Sequence, residues 1–317
     1  MGKIMIKVDL ITGFLGSGKT TFMKKYVQHL VNSGKNTGII ENDHGAVNVD
    51  LMLLQELFGP LCDMEMVTGG DGYETHIRRL KAKLIAFGMR RVDRVVIEPS
   101  GVFDVDEFFD VLYEEPLDRW YEVGNVIVVV DAKLEDDLSE QSDYLLASQL
   151  ANAGRIILSR TQDATDKDIE HTVRHMNEVM EKFGCSRRFD KEIVTKPWDE
   201  FTDKDFEDIE SCGYVLESHV KLPVSQENSF ESLYFMNYHM SEAELREKSA
   251  AMMQDEACGN VFRIKGFMPV EDGWIEINAT HREINIKPIE KGQEIVIVIG
   301  EDLVEERVRE YFEAAGK

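Results

Sequence analysis

Apolar and β-branched residues cluster in short runs at 4–11, 37–40, 64–67, 92–97, 123–130, 155–158 and 192–194, and helical spacing fills most of the gaps between them. Short runs in which apolar and β-branched residues predominate predict strands, and their alternation with helices predicts an α/β fold with a mostly parallel sheet flanked by helices on both faces. One of the clearer helices spans 165–183, where Ile169, Val173, Met176, Val179, Met180 and Phe183 recur at three- and four-residue spacing. The pattern breaks over 215–229, where Pro223, Ser225, Asn228 and Ser229 interrupt it. Beyond the break, strand-like runs at 230–236, 260–267, 273–277, 283–286 and 294–299 and helices at 242–253 and 303–314 predict an antiparallel sheet with helices, a smaller C-terminal α+β domain. The expected domains are therefore 1–215 and 230–317. No repeat, low-complexity tract or sustained heptad interrupts this layout.

The first strand runs into Gly13-Phe14-Leu15-Gly16-Ser17-Gly18-Lys19-Thr20, which fits G-x-x-x-x-G-K-[ST] and opens a helical pattern through Met23, Val27, Leu30 and Val31. Strand, glycine-rich turn and helix in that order predict a phosphate-binding loop. Its glycines let successive N–H groups face inward, the helix start adds positive potential, Lys19 reaches the terminal phosphates, and the Thr20 hydroxyl is a ligand for Mg²⁺. Gly13, Gly16, Ser17, Gly18, Lys19, Thr20 and Thr21 are the expected nucleotide contacts.

Composition narrows the partners. The 317 residues carry a formal net charge of −24, with 43% hydrophobic and 30% charged residues. Nucleic acid is excluded as a partner, because a phosphate backbone needs a basic footprint. A nucleotide must instead be attracted at short range by Mg²⁺, Lys19 and backbone amides. No apolar run reaches the roughly 18–20 residues of a membrane span, and the opening residues lack a signal-peptide profile, so the expected address is the cytoplasm. Cys62, Cys185, Cys212 and Cys258 form no C-x-x-C pair and are expected to be reduced thiols.

A phosphate loop alone does not choose between kinase, ATPase and GTPase, so the other strand ends must decide. The run 95–97 ends in Glu98-Pro99-Ser100-Gly101, placing Glu98 to hold Mg²⁺ and the Gly101 N–H to meet a γ-phosphate. The second strand ends in Glu41-Asn42-Asp43-His44-Gly45, with Asp50 at a helix start; Glu41 and Asp50 are the carboxylates expected to organise Mg²⁺ or water.

With these residues in view, the chain resembles the CobW/HypB/UreG group of P-loop GTPases, within it the CobW-like branch. The likeness rests on Gly13–Thr20, Glu41-Asn42 with Gly45 and Asp50, Glu98-x-x-Gly101, the strand ending at Asp131, and the segment Gly259-Asn260-Val261-Phe262-Arg263-Ile264-Lys265-Gly266-Phe267, which is similar to the opening of that branch's C-terminal domain. The resemblance implies a metallochaperone or cofactor-assembly factor that binds GTP with Mg²⁺, acts on a protein client or metal-cofactor enzyme, and dimerises on nucleotide binding. Two departures stand out. Where CobW-like proteins carry Cys-x-Cys-Cys, this chain has Thr68-Gly69-Gly70-Asp71-Gly72-Tyr73, so the thiolates of that zinc or cobalt site are gone. Where the family reads guanine with Asn-Lys-x-Asp, this chain has Ser159-Arg160-Thr161-Gln162, followed by Asp163. Arg160 can stack on a purine, while Gln162 presents one acceptor oxygen to the two donors of guanine. Guanine is preferred by resemblance; adenine, and hence ATP, remains the rival.

Histidines add little: His171 and His175 share a helix face without a marked acidic partner, and His44 sits in the loop after the second strand. The reading is thus a Mg-dependent triphosphatase that handles a metal or metal cofactor, a corrinoid among them. The rivals are a small-molecule kinase, with Arg78, Arg79, Arg90 and Arg91 as lid residues, and a non-catalytic nucleotide-gated module.

Overall fold

The computed structural model describes residues 5–42, 54–67, 73–99, 105–134, 138–217, 231–236, 238–270, 273–281, 283–290, 292 and 294–313. Its contacts divide the chain into two compact units, Met1–Pro223 and Val224–Lys317.

The first unit alternates β1 (Ile6–Thr12), α1 (Lys19–Asn32), β2 (Thr37–Asn42), β3 (Cys62–Val67), α2 (Tyr73–Arg90), β4 (Arg94–Pro99), α3 (Val105–Leu112), β5 (Tyr121–Asp131), α4 (Glu140–Ala151), β6 (Arg155–Ser159), α5 (Asp166–Lys182), β7 (Ile193–Val194) and α6 (Asp203–Glu210). The seven strands lie in the order β3-β2-β4-β1-β5-β6-β7, and every recorded pairing is parallel. The apolar runs follow from this: Ile127 and Val129 face a core with Phe22, Met23, Tyr26, Val27 and Leu30 of α1, while Val126, Val128 and Val130 are buried on the opposite face. From β1 the chain crosses to β2 and β3, returns to lay β4 beside β1, then leaves through β5 on the other side. Such a reversal leaves a crevice at the carboxyl ends of the central strands, where α/β sheets bind ligands.

Two helices show how local sequence sets their starts. Thr165 and Asp168 form a reciprocal capping box at α5, and Thr202 and Asp205 form another at α6, so the helices begin one residue after each threonine. A buried acid interrupts β1 at Asp9. There the register with β5 passes from Val8↔Val123 to Leu10↔Val126, leaving Gly124-Asn125 opposite Asp9. A side chain at Gly124 would start 2.3 Å from the Asp9 carboxylate, so the acid takes the space that glycine leaves.

The second unit is an antiparallel sheet of β8 (Glu231–Met236), β9 (Asn260–Val270), β10 (Gly273–Thr280), β11 (Ile284–Ile289) and β12 (Ile295–Glu301) in the order β11-β10-β9-β12-β8, with α7 (Glu242–Gln254) and α8 (Glu305–Glu313). Its core gathers Phe235, Met252, Met253, Ile264, Ile275, Ile277, Val296, Val298, Val308 and Phe312. The strands run longer than the apolar runs imply, because pairing with β9 carries β10 on to Thr280 and pairing with β10 carries β11 on to Ile289. At the other end, α8 begins at Glu305, two residues after the apolar pattern opens at Leu303.

Candidate functional site

Beyond Thr12 the chain turns through Gly13–Gly18 and enters α1 at Lys19. Gly13 has φ +146°, and a Cβ there would lie 2.1 Å from the Val129 carbonyl oxygen, so the loop hugs β5 too closely for any side chain. Gly18 is the N-cap of α1 at φ +96° and has no side-chain cap, so no side chain competes for the first amides of the helix. The Ser17 amide donates to the Phe14 carbonyl at 3.2 Å, and Lys19 Nζ donates to the same oxygen at 3.3 Å. The Thr12 and Ser17 hydroxyls are buried without a hydrogen-bond partner. Buried hydroxyls of this kind, beside a helix start and an ammonium, suit an anionic ligand that would complete their bonding.

Across the sheet the Thr20 hydroxyl donates to Glu98 Oε1 at 2.9 Å, joining the start of α1 to the end of β4. Glu41 is the register partner of Glu98 on β2, so the two carboxylates stand side by side on neighbouring strands. They are 3% and 6% exposed, a degree of burial that carboxylates tolerate only with compensating partners. A hydroxyl and carboxylates are hard oxygen donors, which fit Mg²⁺. Thr21 follows on the exposed side of α1. Asp50, Gly101 and His44 lie outside the described residues, as does the stretch 68–72.

The far wall comes from β5, β6 and the turn after β7. Asp131 and Ser159 are register partners at the ends of β5 and β6. Arg160 then adopts a left-handed φ of 55° and caps a short 3-10 turn, Thr161–Asp163. Its guanidinium donates to the Gly16 carbonyl at 3.3 Å and pairs with Asp131, tying this turn to the phosphate loop. Gln162 is exposed and donates from Nε2 to Asp163 Oδ2 at 3.0 Å. Trp198, after β7, donates from its indole N–H to the Leu158 carbonyl at 2.9 Å and meets Phe22 edge-on at 5.5 Å. A Cβ on Gly18 would lie 3.2 Å from the Trp198 ring. The structure thus brings Gly13–Thr20, Glu41, Glu98, Arg160 and Gln162 to one end of the sheet.

Sequence reading missed Asp131 as the partner of Arg160 and Trp198 as the flank of the loop. An acid closing an apolar strand was a signal for the first; nothing in the sequence links residues 18 and 198. Two other readings need correction. His175 does have an acidic partner, because Asp143 on α4 stands 3.1 Å from its Nε2 and also accepts from Lys182 at 2.8 Å. Arg90 is no lid residue: it ends α2 paired with Asp63 and Glu65 of β3, the second at 2.7 Å.

Among the described residues, no three His, Cys, Asp or Glu side chains converge on a cation-sized space. Cys62, Cys185 and Cys258 are buried and Cys212 is half-buried. Burial pushes the thiols of Cys62 and Cys258 up to about 11 and that of Cys212 up to about 12, helped by Asp63, Asp255 and Asp9 respectively. No helix among the described residues is long and apolar enough to cross a membrane.

Fold and site together define a P-loop nucleotide-binding protein of the α/β class. The chain belongs to the CobW/HypB/UreG family: the model of that family's nucleotide-binding domain matches residues 7–189, and that of the cobalamin synthesis protein cobW C-terminal domain matches residues 235–316. Among curated relatives, the zinc chaperone YjiA of Escherichia coli K12 is 31% identical over 176 residues, covering 52% of each chain. The zinc chaperone YeiR of the same organism is 27% identical over 178 residues, 54% of this chain and 51% of that one. The chain thus spans about half the length of the curated relatives it matches. A crystal structure of the Zn(II)-bound YjiA GTPase from E. coli aligns over 99% of both chains at 20% identity and a TM-score of 0.38.

Proposed function

We propose that this chain is a Mg²⁺-dependent GTPase whose hydrolysis cycle drives the handling of a metal or metal cofactor on a client protein. The observation that carries the reading is the Thr20–Glu98 hydrogen bond, with Glu41 alongside Glu98 and Lys19 at the start of α1. Thr20, Glu98 and Asp50 would hold Mg²⁺, which when bound neutralises charge on the phosphate oxygens. The loop amides and Lys19 cradle the phosphates and stabilise charge as it moves toward the leaving oxygen. Glu41 and Asp50 orient a water whose oxygen bonds to the γ-phosphorus as the bond to the β–γ bridging oxygen breaks, giving GDP and phosphate. The Gly101 N–H loses its γ-phosphate partner at that point, and the loops relax.

The zinc chaperones among its relatives support metal handling as the use of this cycle. Without Cys-x-Cys-Cys and with burial raising three of its four thiols, the chain is poorly equipped to carry a naked soft ion, so a whole cofactor such as a corrinoid, or the client's own site, is the better cargo. A cytoplasmic setting and a nucleotide-dependent homodimer go with this reading. Release of free phosphate from GTP without any acceptor, slowed about 100- to 1,000-fold in Lys19→Ala, is the expected result. Phosphate transfer that required an acceptor would establish a kinase, and tight binding without turnover a gated module. Tight stoichiometric zinc or cobalt binding in equilibrium dialysis would overturn the cargo statement.

A further inference from the structure

We infer that the turn after β6 reads a 6-oxopurine through a single acceptor, so that this chain binds GTP and ITP alike. This rests on the nucleotide reading above and adds the chemistry of the base. In the family pattern a lysine is followed two residues later by an aspartate that accepts two hydrogen bonds from guanine, at N1–H and at the 2-amino group. Here the first of these positions is fixed by geometry. Arg160 is pinned to the phosphate loop at the Gly16 carbonyl and to Asp131, and the turn behind it is closed by the Asp163 N–H donating to the Arg160 carbonyl at 3.0 Å. The turn therefore cannot slide by one residue without breaking the clamp, and the reading position is Gln162.

Gln162 is a neutral amide, and its nitrogen is turned toward Asp163 by the 3.0 Å bond, which leaves its carbonyl oxygen as the acceptor offered to a ligand. One acceptor matches the N1–H that guanine and hypoxanthine share. It gains nothing from the 2-amino group, the one feature that separates GTP from ITP. Adenine instead presents an acceptor at N1, which a carbonyl oxygen repels, so ATP is disfavoured.

Calorimetric titration of the full chain with Mg²⁺ and GTP, ITP or ATP tests this. Wild type is expected to bind GTP and ITP within about threefold of each other and ATP more weakly; Gln162→Asp, which restores the second acceptor on an exposed side chain, is expected to favour GTP over ITP by about tenfold or more. Asp163→Asn is expected to leave the GTP-to-ITP ratio within about twofold of wild type. A wild-type preference for GTP of tenfold or more, a ratio set by Asp163, no gain of GTP preference in Gln162→Asp, or ATP binding more tightly than both would overturn the inference while leaving the GTPase reading intact. Failure of all three nucleotides to bind would remove both.

Discussion

At the carboxyl ends of the strands, Glu41 and Glu98 are register partners, Thr20 donates to Glu98, and Lys19 donates to the Phe14 carbonyl, bonds that phosphate oxygens and a cation can take over. At the other end of α1, the buried acid is walled in. Asp9 accepts from Tyr26 at 2.7 Å, Arg94 at 2.5 Å and Asn125 at 2.9 Å; Arg94 reaches on to Glu210 at 3.2 Å, which also accepts from Lys35 at 2.7 Å. Burial pushes the Asp9 carboxyl up, and the Arg94 guanidinium and the hydrogen bonds pull it back. Both ends bury charge, but only one keeps its bonds exchangeable. A network closed on itself fixes α1 and α6 against the sheet, whereas one that a ligand can complete is a site.

Removing charge from each end should therefore give opposite signatures. Arg94→Ala strands Asp9 without its cation and is expected to cost about 3–5 kcal/mol in denaturant unfolding, with unchanged GTP affinity in the fraction that stays folded. A loss of affinity with little loss of stability would break the distinction. Lys19→Ala should do the reverse, lowering turnover by about 100- to 1,000-fold with the melting temperature nearly unchanged. Gly18→Ala sharpens the contrast, since it strains the loop at φ +96° and crowds Trp198: an expected cost of about 1–2 kcal/mol, accompanied by weaker nucleotide binding.

The smallest effect tests a third charge cluster, away from both ends. Burial pushes the Asp143 carboxyl up, but hydrogen bonds from His175 and Lys182 outweigh it and hold it below the ordinary value of about 4. A depressed folded value means stability that is present above pH about 4 and is lost as pH falls through the folded value. Asp143→Asn should cost about 1 kcal/mol at pH 7, and its deficit against wild type should shrink in melts taken below pH 4.

The site was more legible than the scaffold beneath it, for reasons of sequence distance. Gly13–Thr20 is contiguous and its chemistry demands a fixed spacing, so one short stretch announced the loop. Glu98 and Glu41 were readable because each ends an apolar strand, and a parallel sheet brings such ends together. The Asp9 network joins residues from 9 to 210, and its sole local trace was an acid inside the apolar run of β1 with a glycine, Gly124, on the strand that pairs with it. The Asp143–His175 pair was invisible for the same reason: spacing along α5 shows which residues share a face but not what α4 sets against it. Strand ends in the second unit were misplaced where pairing extends them past the apolar run, since ladder bonds need no hydrophobic residue.

The central claim is that Thr20 and Glu98 form a cation-assisted triphosphate site, and calorimetry of GTP binding with and without Mg²⁺ tests it most directly. Mg²⁺ is expected to tighten GTP binding by about tenfold or more in wild type and by less than about twofold in Glu98→Gln. Equal affinity with Mg²⁺ and with a chelator, or no heat for GTP under either condition, would contradict it.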